Sequence, residues 1–564
     1  MAAPRFRPPR GRSRMPPADD TPSAAHLGKP AREAFPPAAG AAAPAESWDA
    51  FHGRHAQRHV ELWMQALAGV RQSGAADADR RFAAPDWRES PAHDYLRRAY
   101  LVNADWLREA VARWPADAAT RRRLAFFARQ LIDALCPANF PATNAEALKR
   151  FADTDGRSLQ DGLRNLMADL ERRRITMTDE SAFEVGRNLA VTPGAVVHEN
   201  ELFQLIQYAP VGSTVRETPL LIVPPFINKY YILDLQPANS FVRYALEQGL
   251  QVFLISWRNV PPALGRATWD DYLERVVFEA LDATLEVSGA RRANALGFCV
   301  GGTLLASGLA VLRGRGDRRV ASLTLLTTLL DFAEPGDIGV YVQEPFVAQK
   351  EAEFAAGGVM RGAELAQAFA SLRANELVWN YVVNNYLKGQ TPPPFDLLYW
   401  NGDSANVPGA LFAFYLRRMY LENALRQPGA LTLCGTGVDL GRVDLPAFVL
   451  AAREDHIVPW ASAFASARLL SGRIEFVLAA SGHIAGVINP ASQRRRNYWT
   501  GAFAGDAQAW LDAARSLPGS WWPRWARWIL RRSGAPVTAP AALGSTRHPP
   551  GEPAPGRYVR ERAA

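Results

Sequence analysis

Short apolar runs alternate with helical patterns from about Gly186 onward, and this alternation is the strongest constraint on the fold. One helix is predicted between residues 256 and 293, with an apolar stripe from Leu273 to Leu285 and Gly289 placed to end it. Strands that alternate with helices predict a parallel, doubly wound sheet. The predicted strands are 202–208, 220–223, 252–256, 293–298, 323–327, 447–451 and 474–478.

A nucleophile-elbow pattern follows the predicted strand 293–298. The motif at 297–302 is Gly-Phe-Cys-Val-Gly-Gly, which is G-x-S-x-G with Cys299 in the serine position, and a helical run follows it. A nucleophile on a strained strand-to-helix turn needs small neighbours, which Gly297 and Gly301 supply. The pattern predicts an α/β-hydrolase fold with Cys299 as nucleophile, and the alternative is a buried, inert cysteine.

The order of catalytic residues in this fold predicts an acid after a later strand and a histidine after the next strand. Beyond Cys299 the chain holds three histidines: His456, His483 and His548. Asp455 follows strand 447–451 and His483 follows strand 474–478, so the predicted triad is Cys299, Asp455 and His483. His456 is the competing histidine and is interpreted as structural, while His548 lies in a proline-rich tail.

Two backbone N–H groups are expected to form the oxyanion hole. One belongs to Val300, the residue after the nucleophile, and the other to the loop after strand 220–223. That loop begins with two prolines, which cannot donate. Phe226 or Ile227 is therefore expected to donate, and Ile227 is taken as the candidate.

The chain divides by composition into three predicted regions. Residues 1–46 are rich in Pro, Ala and Arg and are predicted to be disordered. Residues 47–185 show helical periodicity and predict a helical N-terminal domain. Residues 186–564 form the predicted catalytic domain, with an insertion at about 331–425. The insertion is rich in aromatics, Tyr415 and Tyr420 among them, and predicts a cap over the site or an ordinary helical excursion.

Composition limits the other classes of function. Three separated cysteines argue against a disulfide framework and a zinc site. His52, His55 and His59 share one helix face but have no carboxylate partner, so no metal is expected. No signal peptide or transmembrane segment is recognised, and the net charge of +8 permits contact with an acidic partner. The tryptophan-rich segment 521–528 is predicted to pack on the body.

Several longer motifs, taken together, make the chain resemble the class I polyhydroxyalkanoate synthases. The matching segments are 224–235, 268–272, the Cys299 motif, 377–381, 453–460, 481–490 and 555–559. Phe226 and Phe414 stand where family members often carry Trp. Both departures bear on substrate preference rather than on the reaction.

The resemblance implies an enzyme that polymerises (R)-3-hydroxyacyl-coenzyme A, mainly the 3-hydroxybutyryl ester, and releases coenzyme A through a thioester on Cys299. It implies no cofactor, a homodimer, and residence in the cytoplasm on polyester granules with their associated proteins. Nucleic acid is not an expected partner. The alternatives are a cysteine-dependent thioesterase or depolymerase on the same fold, or a non-catalytic granule-surface or nucleic-acid-binding protein.

Overall fold

A ten-stranded sheet forms the centre of the computed structural model, which describes residues 46–70 and 79–563. All but the last residue of the predicted disordered tail lies outside the described residues. The strands are β1 (Gly194–Glu199), β2 (Phe203–Tyr208), β3 (Leu220–Val223), β4 (Val252–Trp257), β5 (Ala293–Phe298), β6 (Val320–Leu326), β7 (Ala447–Ala452), β8 (Ile474–Ala479), β9 (Asn497–Thr500) and β10 (Arg515–Pro518).

The six central strands are parallel, and both edges of the sheet are antiparallel. The spatial order is β1-β2-β4-β3-β5-β6-β7-β8-β9-β10. The run at 202–208 was expected in a parallel sheet, but β2 is antiparallel to both β1 and β4. The connection from β1 to β2 is too short to hold the crossover that parallel pairing requires. The remaining predicted strands lie in the parallel centre, within a few residues of their predicted bounds.

Helices precede the sheet and cover both of its faces. The N-terminal helices are α1 (Trp48–Leu67), α2 (Asp86–Glu89), α3 (Pro91–Arg113), α4 (Ala118–Ala134), α5 (Ala145–Asp153) and α6 (Arg157–Arg172). Those between strands β3 and β6 are α7 (Phe241–Glu247), α8 (Trp269–Tyr272), α9 (Glu279–Ser288) and α10 (Val300–Gly314). A π-helical segment, Leu273–Phe278, joins α8 to α9, and Gly289 ends α9 with φ 67°.

The chain between β6 and β7 is mostly helical. It contains α11 (Glu344–Phe354), α12 (Gly362–Ser371), α13 (Asp396–Gly402) and α14 (Gly409–Phe414), with π-helical segments at Asn375–Trp379, Val382–Leu387 and Tyr415–Leu421. The last helices are α15 (Trp460–Ala467), α16 (His483–Val487), α17 (Ala507–Ala513) and α18 (Trp522–Leu530). The tryptophans of the 521–528 segment are at most 5% exposed, which confirms that this segment packs on the body.

The N-terminal helices rest on the insertion between β6 and β7. Gln130 of α4 donates to the carbonyl of Ser371 at 2.7 Å. From the insertion, the hydroxyl of Tyr386 donates to Asp169 of α6 at 2.7 Å. The helical region is thus joined to the segment that lies over the carboxyl ends of the parallel strands.

Candidate active site

Cys299 occupies the sharp turn between β5 and α10. Its backbone has φ 53° and ψ −128°, a region that costs a non-glycine residue on the order of 1–3 kcal/mol. The surrounding structure holds it there: its N–H donates to the carbonyl of Leu326 at 2.9 Å, and the Thr328 hydroxyl donates to its carbonyl at 3.3 Å. The thiol therefore stands at the N-terminus of a 15-residue helix, where an anion is favoured.

The glycines of the motif are required by close backbone packing. A Cβ at Gly297 would overlap the backbone of Gly302. A Cβ at Gly301 would overlap the carbonyls of Val223 and Pro224, at the end of β3. The turn can form only with these side chains absent, and the same packing brings the loop after β3 against the nucleophile.

Asp455 and His483 are hydrogen-bonded to each other. His483 Nδ1 lies 2.7 Å from Asp455 Oδ2, and both residues are buried. Asp455 Oδ1 accepts from the N–H groups of Ile457 and Val458, both at 2.9 Å. Both carboxylate oxygens are thus engaged, and the carboxylate fixes the orientation of the imidazole.

His483 interacts electrostatically with Cys299 as well as with Asp455. Burial by itself lowers the pKa of His483. The charges of Asp455 and Cys299, together with hydrogen bonds to both, outweigh burial and raise the pKa well above its usual value. Because Nδ1 is bound to Asp455, Nε2 is the nitrogen left for Cys299. The Phe298 ring stacks on the imidazole with the two centroids 5.8 Å apart. The structure therefore brings together the three residues of the predicted triad.

The predicted oxyanion donors lie on both sides of this turn. Val300 is the first residue of α10, and the loop after β3 carries Phe226 and Ile227. Within residues 46–70 and 79–563, the N–H groups of these three residues donate no hydrogen bond. The packing of Pro224 against Gly301 places the loop beside the elbow. The geometry allows either Phe226 or Ile227 to act with Val300.

Two phenols of the insertion, Tyr415 and Tyr420, also lie at the site. Their rings are 5.2 Å apart, and Phe332 packs against both. Burial, and in smaller measure the charge of Cys299, raises the pKa of each phenol, so both remain protonated donors. The sequence marked them only as members of an aromatic-rich segment, because no spacing relates them to Cys299.

The other histidines that the sequence singled out do not take part in the Asp455–His483 hydrogen bond. His456 is next to Asp455 in the chain, but burial and the charge of Arg373 lower its pKa to about 4, which keeps it neutral. His548 faces Glu286 at 3.5 Å and meets His198 edge to face. His55 stacks on Trp106, 5.1 Å between centroids, and meets His59 edge to face.

A cavity outside the Cys299 site lies at the other end of the sheet. It has a volume of about 1010 Å³ and is lined at the start of β8 and the end of α18 by residues such as Arg473, Ile474, Trp528 and Arg532. The parallel strands run from this end toward Asp455 and His483. Cys299 itself is half-buried beneath residues of the insertion.

Comparison with known proteins assigns the family. A family model described as "Poly-beta-hydroxybutyrate polymerase (PhaC) N-terminus" matches residues 78–245, and an alpha/beta hydrolase fold model matches residues 218–490. The poly(3-hydroxyalkanoate) polymerase subunit PhaC of Cupriavidus necator is 50% identical over 527 residues, which cover 92% of this chain and 89% of that protein. This chain belongs to the poly(3-hydroxyalkanoate) polymerase family.

Further members of the polymerase family are similar over most of their length. The subunit PhaC of Rhizobium meliloti is 42% identical, covering 90% of this chain and 85% of that protein. Poly(3-hydroxyalkanoate) polymerase 1 of Ectopseudomonas oleovorans is 38% identical, covering 90% and 92%. The family assignment confirms the resemblance read from the motifs, and it makes this chain an enzyme, an acyltransferase of the polyhydroxyalkanoate synthase type.

Solved structures of hydrolases are similar to part of the chain. A hydrolase from Pseudomonas aeruginosa is 20% identical, covers 51% of this chain and 94% of its own, and has a TM-score of 0.31. A monoacylglycerol lipase from Paleococcus ferrophilus is 11% identical, covers 59% and 98%, and has a TM-score of 0.33. Among residues 46–70 and 79–563, no helix combines the length and apolar character needed to span a bilayer.

Proposed function

We propose that this polymerase-family chain joins (R)-3-hydroxyacyl-coenzyme A units, mainly 3-hydroxybutyryl, into polyester and releases coenzyme A. The observation that carries the proposal is the constellation at the elbow. It combines a strained Cys299, an imidazole aligned by Asp455 at 2.7 Å, and free N–H groups on both sides of the turn. Such an arrangement activates a nucleophile and stabilises a tetrahedral intermediate.

Acylation begins at the thiol. His483 Nε2 takes the proton from Cys299 Sγ, and the thiolate attacks the thioester carbonyl of the substrate. The N–H groups of Val300 and Ile227 stabilise the resulting oxyanion. Collapse of the intermediate breaks the bond to the coenzyme A sulfur, and the His483 imidazolium returns its proton to that leaving thiolate.

A cysteine suits repeated acyl transfer better than a serine. The acyl-enzyme on Cys299 is a thioester, as is the substrate, so loading from coenzyme A is nearly balanced in free energy. An ester on serine would be a deeper energy well, from which each subsequent transfer would be slower. The enzyme therefore keeps the growing chain activated.

The transfer step needs a base for the attacking hydroxyl of the chain or of the next monomer. Both oxygens of Asp455 are engaged, by two backbone N–H groups and by His483, and its side chain is fully buried. That arrangement supports His483 as the base and Asp455 as the group that orients it. The hydroxyl loses its proton to Nε2 as its oxygen forms the new ester bond, and Cys299 departs as thiolate.

Exclusion of water distinguishes a synthase from a thioesterase. Tyr415 and Tyr420 lie near Cys299, and Phe332 packs against both, which gives the site an aromatic wall. Fewer competing waters favour transfer to a hydroxyl over hydrolysis. This supports the proposed role of the insertion as a cap over the site.

Granule association in the cytoplasm is part of the proposal and is supported by exposed apolar faces on the N-terminal helices. Exposed side chains recur every three or four residues along α4 and α6, which places them on single helix faces. Such faces suit a polyester surface, granule-associated proteins or the partner of a homodimer. On α4 and just after it they are Leu124, Phe127, Leu131 and Leu135, and on α6 they are Leu159, Leu163, Met167 and Leu170.

The test is a paired assay on (R)-3-hydroxybutyryl-coenzyme A. Thiol release is followed while the acyl product is separated into insoluble polyester and free acid. Release with polyester is expected. Release with free acid would assign the chain to the thioesterases, and no release with this or a longer monomer would overturn the proposed reaction.

A further inference from the structure

The loop at 224–229, which carries the oxyanion candidates Phe226 and Ile227, is held by the insertion on one side. Trp400 Nε1 donates to the carbonyl of Lys229 at 2.7 Å, and the N–H of Ala405 donates to the carbonyl of Ile227 at 3.2 Å. Asn228 also forms an antiparallel bridge with Ser404. The carbonyls of Ile227 and Lys229 are thus occupied, while the N–H groups of Phe226 and Ile227 have no partner in the described part of the chain and can bind a ligand.

The other side of the loop is held by the C-terminal segment 558–562, through the side chain of Lys229. This side chain is 3% exposed, and its ammonium donates to the carbonyls of Tyr558, at 3.4 Å, and Glu561. Burial lowers the pKa of Lys229, while Asp403 and Glu561 oppose that effect. A buried ammonium is costly unless hydrogen-bonded, so these contacts select one position of the C-terminal segment.

The segment 558–562 is also bound to the insertion, which closes a ring of contacts around the loop. Arg562 donates to the hydroxyl of Tyr399 at 3.0 Å, and its carbonyl accepts from Asn259 Nδ2 at 3.0 Å. Asn259 Oδ1 in turn accepts from the N–H of Asn406 at 2.9 Å. Loop, insertion and C-terminal segment therefore fix one another, and Lys229 is the member of the ring that lies in the oxyanion loop.

We propose that Lys229 is a positioning residue for the oxyanion hole: its contacts with residues 558 and 561 hold the 224–229 loop so that an N–H group faces the carbonyl oxygen of the acyl group on Cys299. The proposal rests on the proposed function, because it assumes acyl transfer at Cys299. The described contacts of the Lys229 side chain are with the C-terminal segment and do not include Asp455 or His483. Its loss should therefore slow the step that develops negative charge and leave the thiol itself intact.

The test compares Lys229→Met and Lys229→Arg with Lys350→Met. Lys350 is a matched control because it is also buried, on α11, but pairs with Glu353 at 2.9 Å away from the loop. Lys229→Met is expected to lower kcat for coenzyme A release by about 10- to 100-fold, the scale of a small misplacement of a catalytic group, with KM within about twofold. Lys229→Arg is expected to recover part of the loss, and Lys350→Met to retain kcat.

Two reactions of Cys299 separate a displaced loop from general damage. Acylation by p-nitrophenyl acetate passes through an oxyanion, whereas alkylation by iodoacetamide does not. Lys229→Met should slow the acylation burst and leave the alkylation rate unchanged. Equal loss of both rates, an unchanged burst, or an effect on KM alone would overturn the proposal.

A truncation that removes residues 561–564 tests the same ring from its other end and serves if Lys229→Met does not fold. The truncation should reproduce the slow burst, and the double variant should be no slower than the slower single variant, since both changes break the Lys229–Glu561 contact and so open the same ring. Additive losses would overturn the proposal. A wild-type chain that gives the burst but releases no coenzyme A overturns the proposed substrate and leaves Lys229 tested by the burst. A wild type that gives neither overturns both proposals.

Discussion

Large apolar side chains are buried in the central sheet, whereas many of those on the N-terminal helices are exposed. All residues of β2 to β5 are buried, and helices cover both faces of the sheet. By contrast, of the 20 large hydrophobic residues exposed in the described part of the chain, only Val211 and Val537 lie outside residues 48–170. The sheet region completes its own core, whereas the helical region leaves apolar faces for something else to cover.

The two regions meet close to Asp455, the proposed catalytic carboxylate. Phe126 of α4 packs with Val340 and Leu372 of the insertion, and Ile457 packs against the same cluster. The N–H of Ile457 is one of the two that bind Asp455. The comparison therefore predicts three kinds of effect. Changes in the sheet region alter the reaction, and changes on the exposed helix faces alter attachment to polyester. Changes at the seam, which is the contact between α4, the insertion and the Asp455 loop, alter stability.

Removal of Cys299, the proposed nucleophile, is expected to have the largest effect. Cys299→Ala should lower coenzyme A release by at least about 10⁴-fold, since loss of a covalent nucleophile removes the acyl-enzyme route. The melting temperature should stay close to that of the wild type. Cys434→Ala, which changes another half-buried cysteine, is the control and should keep its activity. Activity near the wild-type level in Cys299→Ala would remove Cys299 from the mechanism.

Asp455→Asn is expected to be the next most severe change, with kcat lower by about 10³-fold. The new amide would donate to His483 Nδ1 and so hold the imidazole in the wrong tautomer. The pKa of His483 should also fall, because Asp455 is the strongest of the groups that raise it. NMR titration of the imidazole checks this, and Cys299→Ala should give the smaller decrease. An unchanged pKa in Asp455→Asn would contradict the pairing.

The elbow and the order of its partners could be predicted because each depends on local sequence. Strand 293–298 and the turn at Cys299 follow from an apolar run and adjacent glycines. Asp455 and His483 follow because parallel strands end at the same edge of the sheet. The site also needs contacts between distant segments. The sequence spacing of Tyr420 does not relate it to Cys299, and that of Lys229 does not relate it to residue 561.

Three strands of the sheet, β1, β9 and β10, are not predicted by the sequence patterns, and the reason is physical. β9 and β10 are four-residue strands, with β10 at the edge of the sheet, and three of the four residues of β10 are exposed, so neither shows a continuous apolar run. β1 lies at the other edge and has a register shift between Val196 and His198, which interrupts its alternation. β1 and β10 pair with the sheet on one side only, so an apolar pattern is less strongly required there. β9 pairs on both sides, with β8 and β10, but is too short to show a pattern.

Charges on the exposed face of α4 should reduce attachment without altering the reaction. Phe127→Glu combined with Leu131→Glu removes two large apolar side chains, each worth about 1.5 kcal/mol or more when buried, so binding to polyester particles should weaken by about 100-fold. Co-sedimentation with amorphous polyester measures this. Val211→Glu, on the sheet region, is the control. Coenzyme A release from soluble substrate should stay unchanged in both variants, and a parallel loss of kcat would contradict the separation of the two regions.

Replacement of His456, which lies at this seam, is expected to have the smallest effect. The effect is on the stability of the fold in acid. Its pKa is lowered to about 4 by burial and the charge of Arg373, whereas an unfolded histidine titrates near 6.5. Between those values the unfolded chain binds the extra proton, so stability is retained above about pH 6.5 and declines as pH falls toward 4. At pH 5 this protonation lowers the free energy of unfolding by about 2 kcal/mol.

Denaturant unfolding at pH 7.5 and pH 5 measures this contribution. His456→Gln should lose about 2 kcal/mol less than the wild type between the two pH values, whatever its stability at pH 7.5, because glutamine does not titrate. His52→Gln, on the exposed part of α1, should follow the wild type. If His456→Gln and the wild type declined in parallel, His456 would be solvated and the seam between the N-terminal helices, the insertion and the Asp455 loop would be open.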